Sequence, residues 1–535
     1  MRGSARSQRP WRWWFGVAAA AGVIIGSAFG ARAIITNLVL VSTLHQPQAV
    51  HADQAELLGL IQSNQTEQAF EDAFEHGDQL FSTVFNAVDG VGANVGQGQR
   101  FTRVPRADLT GPGEWANHTP ARATGPNAQA CNACHNQVGD DGGGASAANV
   151  HRDPEHSGVL KQFIQRNTPH LFGAGAVQRL AEEMTNSLLA IRGALVASTC
   201  AGPLDATQTA SLAAKGVNFG TITARRSRRG GTACPNFANR QFTLDLSRVR
   251  GVDTDLVVKP FQWKGSVAFI RDFNRDAAHN ELGMQAVELV GDGVDGDFDG
   301  VVDELSVGDM TALAVYVAGQ PRPVTVTELA ALGLAPAQPP DQLAAINDGA
   351  TQFHRAACDV CHKPSLGLDD ALFSEPSQQP SYRDAIFPAG QNPVARGVDP
   401  AFPLTFDLTQ DILENQIPVG NQTVHLGNHT PNGSGGAVIA LFGDLKRHDM
   451  GPGLAEGIDE VGTGASTFMT RNLWGIGSTA PYLHDGRATT ITEAILEHGG
   501  EAALSRAAFQ ALATTAQSNL IAFLNNMVLY KREGP

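Results

Sequence analysis

Positive charge is in short supply. Against 53 Asp and Glu stand 38 Lys and Arg, and the net charge of −15 argues against nucleic acid or an acidic membrane surface as a partner. The basic run Arg225-Arg226-Ser227-Arg228-Arg229 is a local exception, read either as a docking patch for an anion or as a solvated loop. Cysteine is scarce as well. Of six cysteines, four fall into two identical stretches, Cys131-Asn132-Ala133-Cys134-His135 and Cys358-Asp359-Val360-Cys361-His362. Chance pairs, or halves of zinc sites that borrow ligands elsewhere, would not repeat both the spacing and the following His. In C-x-x-C-H two thiols add to the vinyl groups of one haem, and the His supplies the iron's proximal ligand. The spacing therefore predicts two covalently bound c-type haems. Cys200 and Cys234 are left over and suit a disulfide, which points to an oxidising compartment.

With 535 residues, 42% of them hydrophobic, the chain has material for two or three cores. Arg2, Arg6, Arg9 and Arg12 precede an apolar stretch from Trp13 to Gly30, and Ala31 and Ala33 follow; this describes an export signal. An uncleaved membrane anchor is the alternative, since Ile34 to Val41 is apolar too, and Val50-His51-Ala52 is a second cleavage site. Either way the body is expected in the periplasm or outside the cell. Residues 1–52 are assigned to this signal or anchor with its linker, 53–322 to an N-terminal haem domain, 323–340 to an Ala- and Pro-rich linker, and 341–535 to a C-terminal haem domain. Helical spacing is read over 55–85, 177–197, 305–317, 341–353 and 516–529. The expected fold is mainly α, with two class I cytochrome c-like haem domains carrying long loop insertions.

A readable period is missing around the first motif and between Cys200 and Cys234. About forty-five Gly-, Pro- and Asn-rich residues separate Phe85 from Cys131, and such loops tend to be functional. Behind the motif come Gly139 to Gly144, which holds no regular element, and then His151, His156 and His170. Asp295, Asp297, Asp299, Val301, Asp303 and Glu304 follow the first half of an EF-hand loop, with Gly300 at the turn, which predicts calcium. Ser306 stands where a bidentate Glu is expected, so closure falls to Glu304 or Asp309; otherwise this is an acidic solvated turn. In the second half, His448 and Met450 offer potential iron ligands. Thr490 and Glu493 form a capping box for a helix that carries Ile491, Ala494, Ile495 and His498 on one face.

Two C-x-x-C-H motifs together with Thr479-Ala480-Pro481-Tyr482-Leu483-His484-Asp485-Gly486 resemble the bacterial di-haem cytochrome c peroxidase superfamily. Arg447-His448-Asp449-Met450-Gly451 and Leu473-Trp474-Gly475-Ile476-Gly477 resemble its di-haem oxidoreductase branch, described as peroxidases or thiol oxidoreductases. The likeness runs from about Gly77 onward and is strongest in the second half. It implies that His498, about a dozen residues after Gly486, is the sixth ligand of the C-terminal haem, opposite His362. It implies that Trp263 relays electrons between the haems and that Glu281 works on peroxide bound at the His135 haem. Relatives usually have Phe-Trp-Asp-Gly at the Trp segment, where this chain has Gln262 and Lys264. His151 is a candidate for a distal ligand that leaves before turnover. Electrons would come from a donor protein such as a small cytochrome c. Two other readings share these features: a rubber-oxygenase-like enzyme that binds dioxygen, and a non-catalytic electron-transfer cytochrome.

Overall fold

The computed structural model describes residues 46–92, 127–139, 142–152, 163–227, 234–237, 240–297, 299–385, 387–388, 390–410 and 415–531. The expected export segment, His156 and the Arg228–Arg229 pair lie outside them. The described residues from Pro47 onward form one compact unit.

At its centre is the helix Val307–Ala318, all twelve of whose residues are buried. A helix that is apolar on every face apart from Asp309, Thr311 and the Tyr316 hydroxyl has no solvent face and must be enclosed on every side. It starts at a capping box, where Ser306 accepts from the Asp309 amide and Asp309 accepts from the Ser306 amide. Around it pack the helices Thr66–Ser82 and Ala174–Ala201. The first comes so close that a Cβ on Gly77 would lie 2.3 Å from the Ala312 carbonyl oxygen. Backbone cannot step aside as a side chain can, so Gly77→Ala is expected to destabilise the protein by about 1–3 kcal/mol, measured as a lower denaturant midpoint at unchanged slope.

The chain entering the unit is pinned by buried carboxylates. Asp89 accepts from the amides of Gln48 and Ala49, and Asp309 accepts from the Ala52 amide and holds the His51 ring at 2.7 Å. Val50-His51-Ala52 therefore lies within a strap bonded to the body. On the far side, buried Arg271 joins Glu288 to Glu375, and Arg275 joins Glu288 to Asp384, so ion pairs tie residues of the first half to residues beyond position 370. The segment 323–340 holds the strand Val324–Thr325, paired with Met527–Val528, and the helix Val326–Ala331.

The fold class differs from expectation. The chain is 37% helical and 17% strand, a mixed α and β content rather than mainly α. Seven small sheets are present among the described residues. The largest ladder is a hairpin, Thr207–Ala214 with Val217–Arg226, extended by Phe242–Asp245. Leu212, Ala214, Val217, Phe219, Ile222 and Ala224 face inward, while Thr209, Ser211 and Ala213 face out. Lys215 and Gly216 turn the chain with positive φ at both positions, which matches the right-handed twist of a two-residue hairpin. The register shifts between the pairs Ser211–Thr221 and Ala213–Asn218, and the extra residue breaks the alternation of the second strand between Phe219 and Ile222. Most other strands have two to four residues and sit inside what reads as loop. No described helix is long and apolar enough to cross a membrane.

Candidate haem sites

The first motif sits on a single 3-10 turn, Cys131–Ala133, closed by the His135 amide on the Cys131 carbonyl. It opens on a cavity with about 1250 Å³ of empty space, part of it continuous with solvent. Helix Thr66–Ser82 contributes Leu80 and Phe81, whose ring lies 5.9 Å from that of His135. The His135 Nδ1–H donates to the Gly142 carbonyl at 3.2 Å, so the lone pair is on Nε2. Burial holds this imidazole neutral, with its pKa lowered to about 4. Neutral imidazole with the outer nitrogen tied to a carbonyl is what metal ligation requires.

Trp263 and Glu281 line the same cavity. Trp263 projects from a tight turn in which Gln262 and Gly265 have positive φ. A Cβ on Gly265 would meet the Met469 sulfur at 2.5 Å, so no larger residue closes this turn. The indole Nε1–H donates to the Asn167 carbonyl at 2.8 Å, and the Arg471 guanidinium stacks over the ring at 4.7 Å. Lys264, where relatives have Asp, donates to the Gly464 carbonyl at 2.7 Å and pairs with Glu456 at 3.5 Å.

Glu281 lies in a π-helical turn, Ala278–Leu282, that continues the helix Ile270–Ala277 and ends at Gly283 with φ +77°. One extra residue in the turn shifts the side-chain phase, and such turns recur at functional sites. The Glu281 carboxylate accepts from Asn127 Nδ2 at 2.6 Å, and its main-chain carbonyl accepts from the amides of Asn127 and Ala128. Thus the residue is bonded to the segment that leads into Cys131. Burial raises its pKa, opposed by Arg152 and the Asn127 hydrogen bond.

Sequence reasoning missed the buried charges on this wall. Arg152 pairs with Glu460 at 2.7 Å, and Arg166 pairs with Glu456 and with Glu460 at 2.9 Å. The partners are some three hundred positions apart, and no spacing rule reaches that far. Alternation offered one clue: Val150 and Arg152 face the cavity, while His151 between them is exposed. His170 is half-buried and donates from Nε2 to the Trp474 carbonyl at 3.0 Å. Cys200 and Cys234 form a disulfide, in which none of the four motif cysteines takes part.

The second motif follows directly on the helix Pro340–Arg355, with a 3-10 turn Cys358–Val360 and the His362 amide on the Cys358 carbonyl at 2.9 Å. His362 Nδ1–H donates to the Phe442 carbonyl at 3.3 Å. His498 is the C-cap of helix Ile491–Glu497, whose capping box Thr490–Glu493 is present, and its Nδ1–H donates to the Ala494 carbonyl at 2.7 Å. Both Nε2 atoms are left as acceptors. The ring centres of His362 and His498 are 6.4 Å apart. Two metal–nitrogen bonds of about 2 Å each, extended by the ring at either end, span such a gap. Burial lowers both pKa values, that of His362 to about 4. The residues therefore fit haem iron at both motifs.

His448 is engaged elsewhere. Asp444 lies 2.9 Å from its Nε2 and Glu501 2.7 Å from its Nδ1. Burial lowers its pKa, but Asp444 and the neighbouring Cys361 outweigh this and raise it to about 10. As an imidazolium with both nitrogens donating, it has no lone pair for iron. The Thr479–Gly486 loop stacks His484 on Phe468 at 4.3 Å, and the His484 carbonyl accepts from the Asn167 amide at 2.8 Å. Asn167 in turn receives the Trp263 hydrogen bond, so this loop of the second half props the tryptophan of the first.

Carboxylate oxygens of Asp295, Asp297 and Asp299 lie within 4.8 Å of one another. Asp295 also accepts from the amides of Asp299 and Gly300, which closes the turn. Asp303 accepts from the Gly293 amide and Glu304 from the Gln285 amide.

Residues 421–527 match the family model described as "Di-haem oxidoreductase, putative peroxidase", in line with the resemblance carried by the Thr479–Gly486 loop. No curated protein matches the chain. Among solved structures, a MauG-like protein associated with microbial copper homeostasis is similar at 16% identity over 50% of this chain and 68% of that one. Its TM-score of 0.25 makes this likeness too slight to carry an argument.

Proposed function

We propose that this chain is an exported di-haem peroxidase that binds both haems covalently, through Cys131 and Cys134 and through Cys358 and Cys361. In this reading hydrogen peroxide is reduced at the His135 site, and electrons from a small donor protein such as a cytochrome c enter at the His362/His498 site. The observation that carries the proposal is the placing of Glu281 and Trp263 on the wall of the cavity that Cys131, Cys134 and His135 also line. The family description of residues 421–527 supports the same reading at a coarser level. The disulfide and the thioether-forming motifs support an oxidising compartment.

Haem, when bound, supplies the redox chemistry and the site where peroxide is held. The chain supplies proton handling and spacing. Glu281, aimed by Asn127 and faced by Arg152, takes a proton from one peroxide oxygen and returns it to the other, so that water is the leaving group. Two further protons and two electrons complete the conversion of H₂O₂ to two waters. In this reading Trp263 passes electrons towards the first site: Arg471 lies over its ring, and two residues on Leu473 packs against the apolar cluster that Cys358 also touches. Adjacent residues span at most about 3.6 Å each, so this route is short.

Reduced cytochrome c with hydrogen peroxide is expected to turn over, whereas dioxygen with polyisoprene is not. Turnover of the second pair alone would replace this reading by an oxygenase. At Asp295, Asp297 and Asp299 the proposed occupant is calcium, a hard cation for an all-oxygen site. Chelation is expected to lower the melting temperature and calcium, not magnesium, to restore it; an unchanged melting temperature with no calcium by elemental analysis leaves an acidic turn.

A further inference from the structure

Charge is unevenly spread along this acidic chain. Between Pro203 and Arg250 stand eight Lys and Arg against Asp205 and Asp245, although the chain as a whole carries −15. Charges separated by more than about 8 Å of water are largely screened at physiological salt, so a surface in contact responds to the groups nearest it. The net charge therefore does not decide what this region meets.

Arg225, Arg240, Arg248 and Arg250 are exposed, and among the described residues none of them forms an ion pair with a carboxylate. Arg225 is on the outward face of the strand Val217–Arg226, in register with Thr207 on one neighbouring strand and Thr243 on the other. Both threonines are exposed, so hydroxyl-bearing residues flank the arginine. Arg226 is engaged differently: its Nη1 donates to the carbonyls of Cys200 and Gly202 at 2.6 and 2.9 Å, which fastens the strand end to the helix Ala174–Ala201.

Phe237 belongs to the same end of the ladder, where the Ser227 amide donates to the Gln241 carbonyl at 2.8 Å. Its side chain is 58% exposed. A single exposed apolar side chain is ordinary on a protein surface. This one has a built support. Its ring meets buried Phe242 edge to face at 5.5 Å between centres, and three residues earlier Cys234 is tied by the disulfide to Cys200.

An outward aromatic ring beside guanidinium groups is suited to two environments within one side-chain length, an apolar layer and a layer of phosphate. The headgroup region of an anionic bilayer offers both, because aromatic rings settle at that level and basic side chains are drawn to the phosphates there. We propose that this end of the hairpin is a docking surface for an anionic lipid bilayer, with Phe237 entering the headgroup region and Arg225 and Arg240 on lipid phosphates. Arg248 and Arg250, further along the same strand pair, strengthen the local field. The proposal does not depend on which reaction the haem sites carry out.

The test uses the full haem-loaded protein, with hydrogen exchange read by mass spectrometry on the peptide that carries Phe237 and Arg240. Vesicles of phosphatidylglycerol mixed with phosphatidylcholine are expected to slow exchange in this peptide, vesicles of phosphatidylcholine alone are not, and about 0.5 M salt should abolish the protection. The readout is local, so an apolar N-terminal segment that held the protein on both kinds of vesicle would leave the comparison intact. Arg225→Gln/Arg240→Gln should need about thirtyfold more lipid for half-protection, the loss expected for two basic residues at an anionic surface. Phe237→Ser should also need more lipid but keep the salt dependence. All three side chains are exposed, so the melting temperature of each variant should match the native value. Absence of protection overturns the proposal, as does equal protection by both kinds of vesicle or a double variant that titrates like the native protein. Protection by dextran sulfate but not by vesicles overturns it as well and assigns the surface to a soluble polyanion.

Discussion

Replacing His498 by Ala is expected to convert the low-spin signal of the His362 site into a high-spin one while the protein stays folded. The two imidazoles face each other with ring centres 6.4 Å apart, each with its Nδ1–H on a backbone carbonyl and its Nε2 lone pair inward. Burial removes competing protons from both. Two strong-field nitrogens pair the iron's electrons, and loss of one leaves a five-coordinate or water-bound centre. Because His498 is the C-cap of a seven-residue helix whose N-terminal capping box is intact, its side chain can be removed without unwinding that helix. Potentiometry gives an independent check: His498→Met should remain low-spin but move upward within the roughly 0.8 V range that axial ligands span. His448→Ala is the control. Its ring is held between Asp444 and Glu501, so the spin state should not respond. A low-spin signal that survives His498→Ala would remove this residue from the iron.

Much of the helical framework is legible in the sequence because it depends on local pattern. The expected helix over 177–197 is observed as Ala174–Ala201, 305–317 as Val307–Ala318, and 341–353 as Pro340–Arg355. Where 55–85 read as one region, Ser63 and Asn64 divide it into Gln54–Gln62 and Thr66–Ser82. Strand content was underestimated because pairing partners are remote. Leu366–Leu368 pairs with Ala437–Ile439, and Leu372–Glu375 with Leu404–Asp407, each strand too short to show a period of two.

The sites divide along the same line. C-x-x-C-H is a local device whose chemistry is fixed by spacing, so Cys131 to His135 and Cys358 to His362 could be read without a fold. Arg152, Glu456 and Glu460 have no such mark; a cavity wall assembled from 152, 166, 264, 281 and 460 exists only once the chain has closed on itself. Arg471 is intermediate. It stands beside a motif that could be read, yet its role depends on which indole it covers.

Glu281→Gln is expected to lower peroxide turnover by about 10²- to 10⁴-fold, the range for removal of a positioned acid–base group. Gln retains the shape and can still accept from Asn127 Nδ2, so cofactor content and stability should be unaffected. The pH profile separates a proton carrier from a structural residue. Burial raises the carboxyl pKa against the opposing effects of Arg152 and Asn127, so the acidic limb lies above the ordinary carboxylate range. Since the ionised form must accept the proton, turnover is present above that raised pKa and is lost as pH falls through it. In Glu281→Gln the limb should disappear along with most of the rate. Arg152→Gln tests the sign: with the opposing cation gone the carboxyl pKa rises further, and the limb should shift to higher pH while the activity above it persists. A profile that stays fixed in both variants would mean that the proton travels by another group, and the remaining acidic residues on the cavity wall are Asp276 and Glu460. Glu460 is already paired with Arg152 and Arg166. Asp276 accepts from Gln262 and from Asn280. Of the three, Glu281 alone combines burial that raises its pKa with a place in a π-helical turn bonded to the segment that leads into the haem motif.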